Sequence, residues 1–430
     1  MKTIILLINL IIAISLNAQI INIPDLNFKT KLLNSSSTSG IAKNLNGTYF
    51  KIDINSDGNI EQNEASQVSY LNLSNYLTPN SLKLGNLTGI EYFTNLTYLD
   101  CKFNNLSSIN ISNNINLVDL ICNDNILSNL TMNNNNSLRN LICGFNFLTN
   151  LNLNNALNLN LLRCNSNLLT DLNISNNSLL SELVCYANQI SNLNLNNNSL
   201  LSVLNCNTNQ LNSLNVSNNN VLTEIRCINN QISSLNTNNN IILNSLICEN
   251  NQILSLNLSN NLMLKNLSCS FNQLSVLNLN NNILLTTLLC NSNQLINLFI
   301  KNGKDEYLIF DNNPNLNFIC TDQTQLNDVQ NQVDSYGITS TCSVNSNCLL
   351  NNNQFSNTNL IIFPNPANDI IQFDSTEKIS KIEVYDISGK ILKSNLNIEN
   401  NLNLSEFTSG SYILKVYTEN GITTSKIIKN

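Results

Sequence analysis

"LTYLDCKFNN" (residues 96–105) returns 21 positions later as "LVDLICNDNI" (117–126) and again as "LRNLICGFNF" (138–147). A cysteine holds the same slot ten times: Cys101, Cys122, Cys143, Cys164, Cys185, Cys206, Cys227, Cys248, Cys269 and Cys290. The unit reads L-x-x-L-x-C-x-x-N-x-L-x-x-L-x-L plus a polar turn, filled in the first copy by Leu96, Leu99, Cys101, Asn104, Leu106, Ile109 and Ile111. The alternations Leu99-x-Cys101 and Ile109-x-Ile111 have the two-residue period of a strand with one buried side. Each coil is therefore expected to carry two short strands. No single unit can bury its apolar side, so the coils must stack about 4.8 Å apart, giving two parallel β ladders around one continuous core. The predicted fold is mainly β: a solenoid of 21-residue repeats over 96–300, followed by a small C-terminal β-sandwich.

Ten thiols in one register invite four readings: a metal ladder, a run of disulfides, redox chemistry, or core filling. A metal needs ligands converging from several directions, whereas a ladder points them all one way. Parallel Cβ vectors keep neighbouring Cβ atoms near 4.8 Å, beyond the roughly 3.8 Å of a bridge. Free Cys is among the most buried residue types and behaves as a small hydrophobe. Core filling is the expected role. Cys320, Cys342 and Cys348 are off-register, and a disulfide between Cys320 and Cys342 is expected, with Cys348 as the competing partner.

With Cys in place of the third Leu, the unit resembles the leucine-rich repeat family, including internalin-like surface proteins. The match covers about half of the chain. The resemblance implies that the Asn of each copy, Asn104 to Asn293 at the same 21-residue step, lies inside a turn and bonds backbone groups of neighbouring coils.

Composition narrows the function. Only 11% of the 430 residues are charged, the net charge is −7, and there is no His and no Trp. Without His there is no His-dependent triad and no usual catalytic zinc set. No basic stripe exists to meet phosphates, so no nucleic-acid partner is expected. No catalytic set of Ser, Cys or carboxylate is recognisable, and the chain is not expected to be an enzyme.

Outside the repeats, residues 1–18 read as a signal peptide: Lys2, the apolar run Ile4–Leu16, then Ala18 ahead of the cut. That run is too short to span a bilayer, and no later segment suffices. Residues 19–95 read as an N-terminal cap with a short helix after Asp25 and degenerate first repeats. Residues 301–348 read as a C-terminal cap, where the register fails after Ile300 and a helix carrying Leu326, Val329 and Val333 covers the open end. A polar linker follows at 349–360.

The N-terminal cap holds "DINSDGNIEQNE" (53–64), which matches D-x-[DN]-x-[DN]-G-x5-E. Asp53, Asn55, Asp57, the Asn59 carbonyl, Glu61 and Glu64 offer oxygens at the alternating positions that wrap a hard cation, and Gly58 permits the sharp turn. The loop resembles that of an EF-hand, although it follows a strand. Structural Ca2+ is expected there.

Residues 361–430 alternate strand-like runs with turns. "FPNPAND" (363–369), "VYDISGK" (384–390), "GSYILKV" (410–416) and "KIIK" (426–429) resemble the type A sorting domain of the Bacteroidetes type IX secretion system. The resemblance implies export through the periplasm and outer membrane, engagement of that machinery by residues 361–430, removal of the module by a sortase-like peptidase, and a mature protein on the surface or released.

Positions flanking the buried Leu-x-Cys pair should face outward on the concave side. The column after Leu99 runs Asp100, Ile121, Ile142, Arg163, Val184, Asn205, Arg226, Ile247, Ser268, Leu289. With nearby aromatics, the candidate contact residues are Tyr98, Phe103, Ile121, Ile142, Phe145, Arg163, Tyr186, Arg226, Ile228 and Phe271. Apolar and aromatic side chains mixed with a few charges suit a protein or glycan ligand. The expectation is an exported recognition protein. The alternatives are a structural spacer without a specific ligand and an accessory part of a secreted enzyme.

Overall fold

A computed structural model describes residues 19–76, 79–348, 361–374, 378–386, 390–396, 401–418 and 421–430. The expected signal peptide and linker lie outside the described residues. The chain divides into two units, residues 1–348 and 349–430.

The first unit is the coil stack. Helix α1 (Leu26–Leu33) opens it, with the Asp25 carboxylate accepting from Phe28 N–H at 2.9 Å and burying Phe28 and Leu32. A four-residue helix, α2 (Gln62–Ala65), closes the acidic loop. The main sheet has thirteen strands. Ala42–Asn44 pairs antiparallel with Val68–Asn72, and every later step is parallel and in register, from Tyr98–Asp100 to Tyr307–Ile309. The middle residue of each repeat strand, Leu99, Leu120, Leu141 and onward, is buried. All ten repeat cysteines are free and buried beside them.

The asparagines explain how coils hold one another. Asn125 donates from Nδ2 to Cys101 O (3.0 Å) in the preceding coil and to Cys122 O (3.1 Å) in its own, while its Oδ1 accepts from Leu106 N–H (3.0 Å). The same set recurs at Asn188 with Cys164 O, Cys185 O and Leu169 N–H. Asn104 is capped at the N-terminal end by Asn75, whose own Oδ1 accepts from Lys31 of α1. The inner row thus meets the turn's backbone groups as the repeat resemblance implied.

A second asparagine row was not anticipated. Asn114, Asn135, Asn177, Asn198, Asn219, Asn240, Asn261 and Asn282 are buried, and each donates to two carbonyls of the preceding coils, as Asn135 does to Ile111 O (2.9 Å) and Asn114 O (3.1 Å). Ala156 interrupts the row. Here the expectation of two strands per coil needs correcting. The second ladder forms only in pieces: Ser108–Asn110 with Asn129–Thr131, and the four strands from Val276–Asn278 to Ser343–Asn345. In the coils between, Leu151 to Leu256 remain buried although no strand forms there. The second asparagine row holds that side through side-chain bonds to the backbone.

The register also survives past Ile300. Tyr307–Ile309 pairs with Thr287–Leu289, Phe310 fills the thiol slot, and Asn313 donates to Cys290 O (3.1 Å) and Phe310 O (2.8 Å). This eleventh coil is one residue shorter, which hid it in sequence. Helix α3 (Leu326–Ser335) then buries Val329 and Val333, and the Tyr336 ring meets Phe310 edge-on at 5.1 Å. The expected Cys320–Cys342 bridge is not formed: Cys320 pairs with Cys348, with Cα atoms 5.0 Å apart, and Cys342 is free and buried. Strand Phe318–Cys320 runs beside Ser343–Asn345, so the turn after Asn345 returns Cys348 to Cys320, while Cys342 faces the core.

The second unit contains two antiparallel sheets, Ile361–Phe363, Ile370–Asp374 and Asn401–Asn403 in one, and Ile379–Tyr385, Ile391–Leu396, Gly410–Thr418 and Gly421–Lys429 in the other. They share one core around Ile371, Ile382, Leu414 and Ile427.

Removing one inner asparagine strands a buried N–H and two carbonyls, and each buried unpaired group costs about 1–3 kcal/mol. Asn188→Ala should therefore lower the unfolding free energy by about 3 kcal/mol, while the exposed neighbour change Gln189→Ala should stay within about 0.5 kcal/mol. Urea unfolding of both variants checks this, and equal midpoints would contradict it. Peptide mapping without reductant should recover Cys320 linked to Cys348, with Cys342 alkylated only after unfolding.

Candidate functional site

Two features remain after the core is accounted for: the outward face of the main sheet and the acidic loop. On that face the rows flanking the buried leucines are half-buried for the most part. Ile121 and Ile142 stand side by side in paired strands. Arg163, the next along, is exposed and its Nε lies 2.7 Å from Glu182 Oε1 one coil further. Arg226 is paired with Glu224 of its own strand. The column expected to face outward does so only in part. Asp100 is buried and ion-paired with Lys102 at 2.9 Å, and Ser268 is buried against the Glu249 carboxylate.

The ten candidate residues do not form one patch. Tyr98, Ile121, Ile142, Arg163 and Arg226 lie in the strands, and Tyr186 and Ile228 follow the cysteines of their coils. Phe103, Phe145 and Phe271 occupy the left-handed residue of the Cys-x-x-Asn turn, with φ of 60°, 53° and 56°, and so stand off the strand face. Phe103 packs on Tyr76 at 4.9 Å, whereas Phe145 and Phe271 are half exposed.

At the N-terminal end a group missed in the sequence completes Tyr98. Its ring stacks on Tyr70 (4.5 Å between centroids, 11° between planes), Tyr49 meets Tyr70 edge-on at 6.2 Å, and the Lys43 ammonium lies 4.8 Å over both Tyr49 and Tyr70. Burial, then the Asp100 charge, pushes the Tyr98 hydroxyl up to about 12, so it stays protonated and can donate. Aligning "VSYLN" (68–72) with "LTYLD" (96–100) was the available signal. A groove of about 750 Å³ runs beside this group, lined by Ser69, Thr97, Val118 and Arg139 among others.

In the acidic loop, Asp53 accepts from the N–H groups of Asp57 (3.1 Å) and Gly58 (3.4 Å), and Asp57 accepts from Asn59 N–H (2.8 Å). The Asn55 amide lies within hydrogen-bonding distance of Asp57 and Glu61. Glu64 caps α2: Oε1 accepts from Ile54 N–H (2.7 Å) and Oε2 from Glu61 N–H (3.1 Å). The Glu61 carboxyl is pushed up to about 7, first by a hydrogen bond shared with Glu64, then by burial and by the charges of Glu64 and Asp57. Among the described residues, no three carboxylates or thiols gather closely enough to form a ready metal cluster. The loop's remaining donors are amide and carbonyl oxygens.

The thiols offer no chemistry. Burial pushes all ten repeat thiols well above their ordinary value, Cys143, Cys185 and Cys227 up to about 12, and raises Cys342 to about 11, so thiolate is absent at neutral pH. In the second unit the Asn365 side chain accepts from Ile428 N–H (2.9 Å) and donates to Lys426 O (2.8 Å), and Ala367 N–H reaches Ile428 O (2.8 Å). "FPNPAND" and the terminal "KIIK" are thus one bonded feature.

Residues 361–430 match the secretion system C-terminal sorting domain family. No curated protein sequence matches the chain. Among solved structures, the functional domain of InlJ from Listeria monocytogenes, described as including a cysteine ladder, is 22% identical, covers 96% of this chain and 100% of its own, and has a TM-score of 0.59. An internalin of the same bacterium, InlF, is 21% identical over 77% of this chain and 98% of its own, with a TM-score of 0.51. The fold is that of an internalin-like leucine-rich-repeat solenoid. The sorting domain places the protein at the cell surface or in the extracellular space, delivered by type IX machinery. Among the described residues no helix is long and apolar enough to cross a membrane.

Proposed function

We infer that this exported solenoid is a non-enzymatic recognition protein whose main-sheet face binds a protein or glycan ligand, and whose acidic loop holds a structural calcium ion. The observation that carries the first part is the mixture on that face. Tyr98 with Tyr70, the paired Ile121 and Ile142, and the ion-paired Arg163 and Arg226 all sit on rigid strands at fixed spacing. Flat aromatic and apolar surface with few, oriented charges is what hot spots are built from. Tyrosine hydroxyls and Asn side chains add donors and acceptors suited to sugar hydroxyls.

Calcium is supported by the loop's chemistry. Asp53 already folds the loop over its own backbone by accepting from Asp57 N–H, the Asn55 side chain reaches Asp57 and Glu61, the Asn59 carbonyl falls at the seventh position of the pattern, and each Glu64 oxygen keeps a second lone pair beside its amide bond. Glu61 is raised first by the hydrogen bond it shares with Glu64 and by burial, then by the charges of Glu64 and Asp57, and a cation relieves that last contribution.

Tyr186→Ser combined with Ile228→Ser should abolish ligand capture on glycan arrays and surface-proteome pull-downs while leaving the unfolding midpoint in place; capture retained by the variant would take the contact off these residues, and no capture by the unaltered chain would leave a spacer role. Calcium titration should raise the thermal midpoint, and Asp57→Asn should remove that gain. Glu61 binds its proton more tightly folded than unfolded, so that contribution is full below about 4.5 and is lost as pH rises through about 7. Calcium competes with this proton. Its affinity should therefore climb across that window with proton release in calorimetry, and a pH-independent affinity would count against Glu61 as a ligand.

A further inference from the structure

An apolar strip runs along the turns that lead into the main sheet. Leu179, Leu200, Val221, Ile242, Met263 and Leu284 each stand three residues ahead of a strand, and those strands pair in register from coil to coil. They form one column over six successive coils. Ile241, Leu262 and Ile283 widen its C-terminal half to two residues. Leu284 is half-buried and the other eight are 39–59% exposed. In the three preceding coils the same column is Asn116, Ser137 and Asn158. Single exposed leucines are ordinary, but an unbroken column is not.

Three properties decide what covers it. The first is charge. In each coil the outward positions that flank the strip are Asn, Ser or Thr, with Lys265 the one charged residue. The nearest acidic groups, Glu182 and Glu224, are already paired with Arg163 and Arg226. A chain of net charge −7 thus presents one long face on which two copies approach without repulsion. The second is pitch. Side chains repeating every ~4.8 Å interdigitate over their whole length only with a surface of the same spacing, which a second copy supplies by construction. The third is area. Six coils span roughly 24 Å, and a strip of this length buried on two partners reaches on the order of 1,000 Å², the lower bound of a specific interface.

We propose that the strip is the interface of a symmetric homodimer, in which two copies pack antiparallel about a two-fold axis between Val221 and Ile242. Leu179 of one copy then lies toward Leu284 of the other, and Leu200 toward Met263. Each assembly carries two main-sheet faces.

Light scattering and sedimentation of the full chain across the micromolar range test this. The expected mass is twice 47.9 kDa. Val221→Lys with Met263→Lys should raise the dissociation constant at least a hundredfold with circular dichroism and unfolding midpoint unchanged. Phe147→Lys, exposed on the opposite turn, should leave the dimer intact. If the lysine variant loses its fold, Leu200→Gln with Leu262→Gln gives the same reading with residues like those of the preceding coils. A monomer at every concentration, a dimer indifferent to strip substitutions, or open-ended oligomers would each overturn the proposal.

Discussion

The solenoid depends on one constraint: the Cys-x-x-Asn turn buries backbone groups that have no strand to pair with. A short amide meets three of them at once, two carbonyls and an N–H, spread over adjacent coils. Because one partner lies in the preceding coil, the bond fixes the stacking as well as the turn. Aspartate would lack the donors, and glutamine would overshoot the space. The requirement is local and repeats without change, so the same residue must return at the same step.

The thiol slot follows from that geometry. It lies at the end of the strand, immediately before the turn whose carbonyl the asparagine takes. In the interior coils a small apolar atom group fills it, and the thiols remain free and protonated. At the two ends of the ladder Leu73 and Phe310 occupy the slot, and Phe310 meets the ring of Tyr336 at the end of α3. The change from sulfur to larger side chains marks where the coil stops having an identical neighbour. The cysteine ladder reads as a packing rule whose exceptions locate the caps.

What the sequence revealed and what it hid divide along the same line. The core, the inner asparagines and the sorting module were legible because each rests on a period or a motif. The second asparagine row was hidden by abundance: in a chain this rich in Asn, a 21-residue step among paired asparagines does not stand out. The eleventh coil was hidden by a one-residue deletion and by Phe310 in place of Cys. Cys348 as the partner of Cys320 depended on the parallel strand Ser343–Asn345, which no local signal announced. On the outward face, a period of two separates in from out but cannot tell exposed from half-buried. Asp100 and Ser268 were sequestered by Lys102 and Glu249, neighbours that the period does not encode.

Each column of the repeat carries one task, and this bears on where specificity can reside. The Leu, Cys and Asn columns are held uniform by packing and by buried hydrogen bonds, so they cannot vary to suit a ligand. Variation is confined to outward columns, and there it is not random along the axis. Aromatic rings cluster in the first coils, where Tyr98 stacks on Tyr70 and Lys43 lies over Tyr70 and Tyr49. Isoleucines and arginines follow on the main-sheet face, and the turn column switches from Asn and Ser to an unbroken apolar run at Leu179. A stack needs none of these changes in order to fold, since the coils before and after them keep the same register. Departures from the repeat that stability does not require are the residues on which contact with other molecules can act.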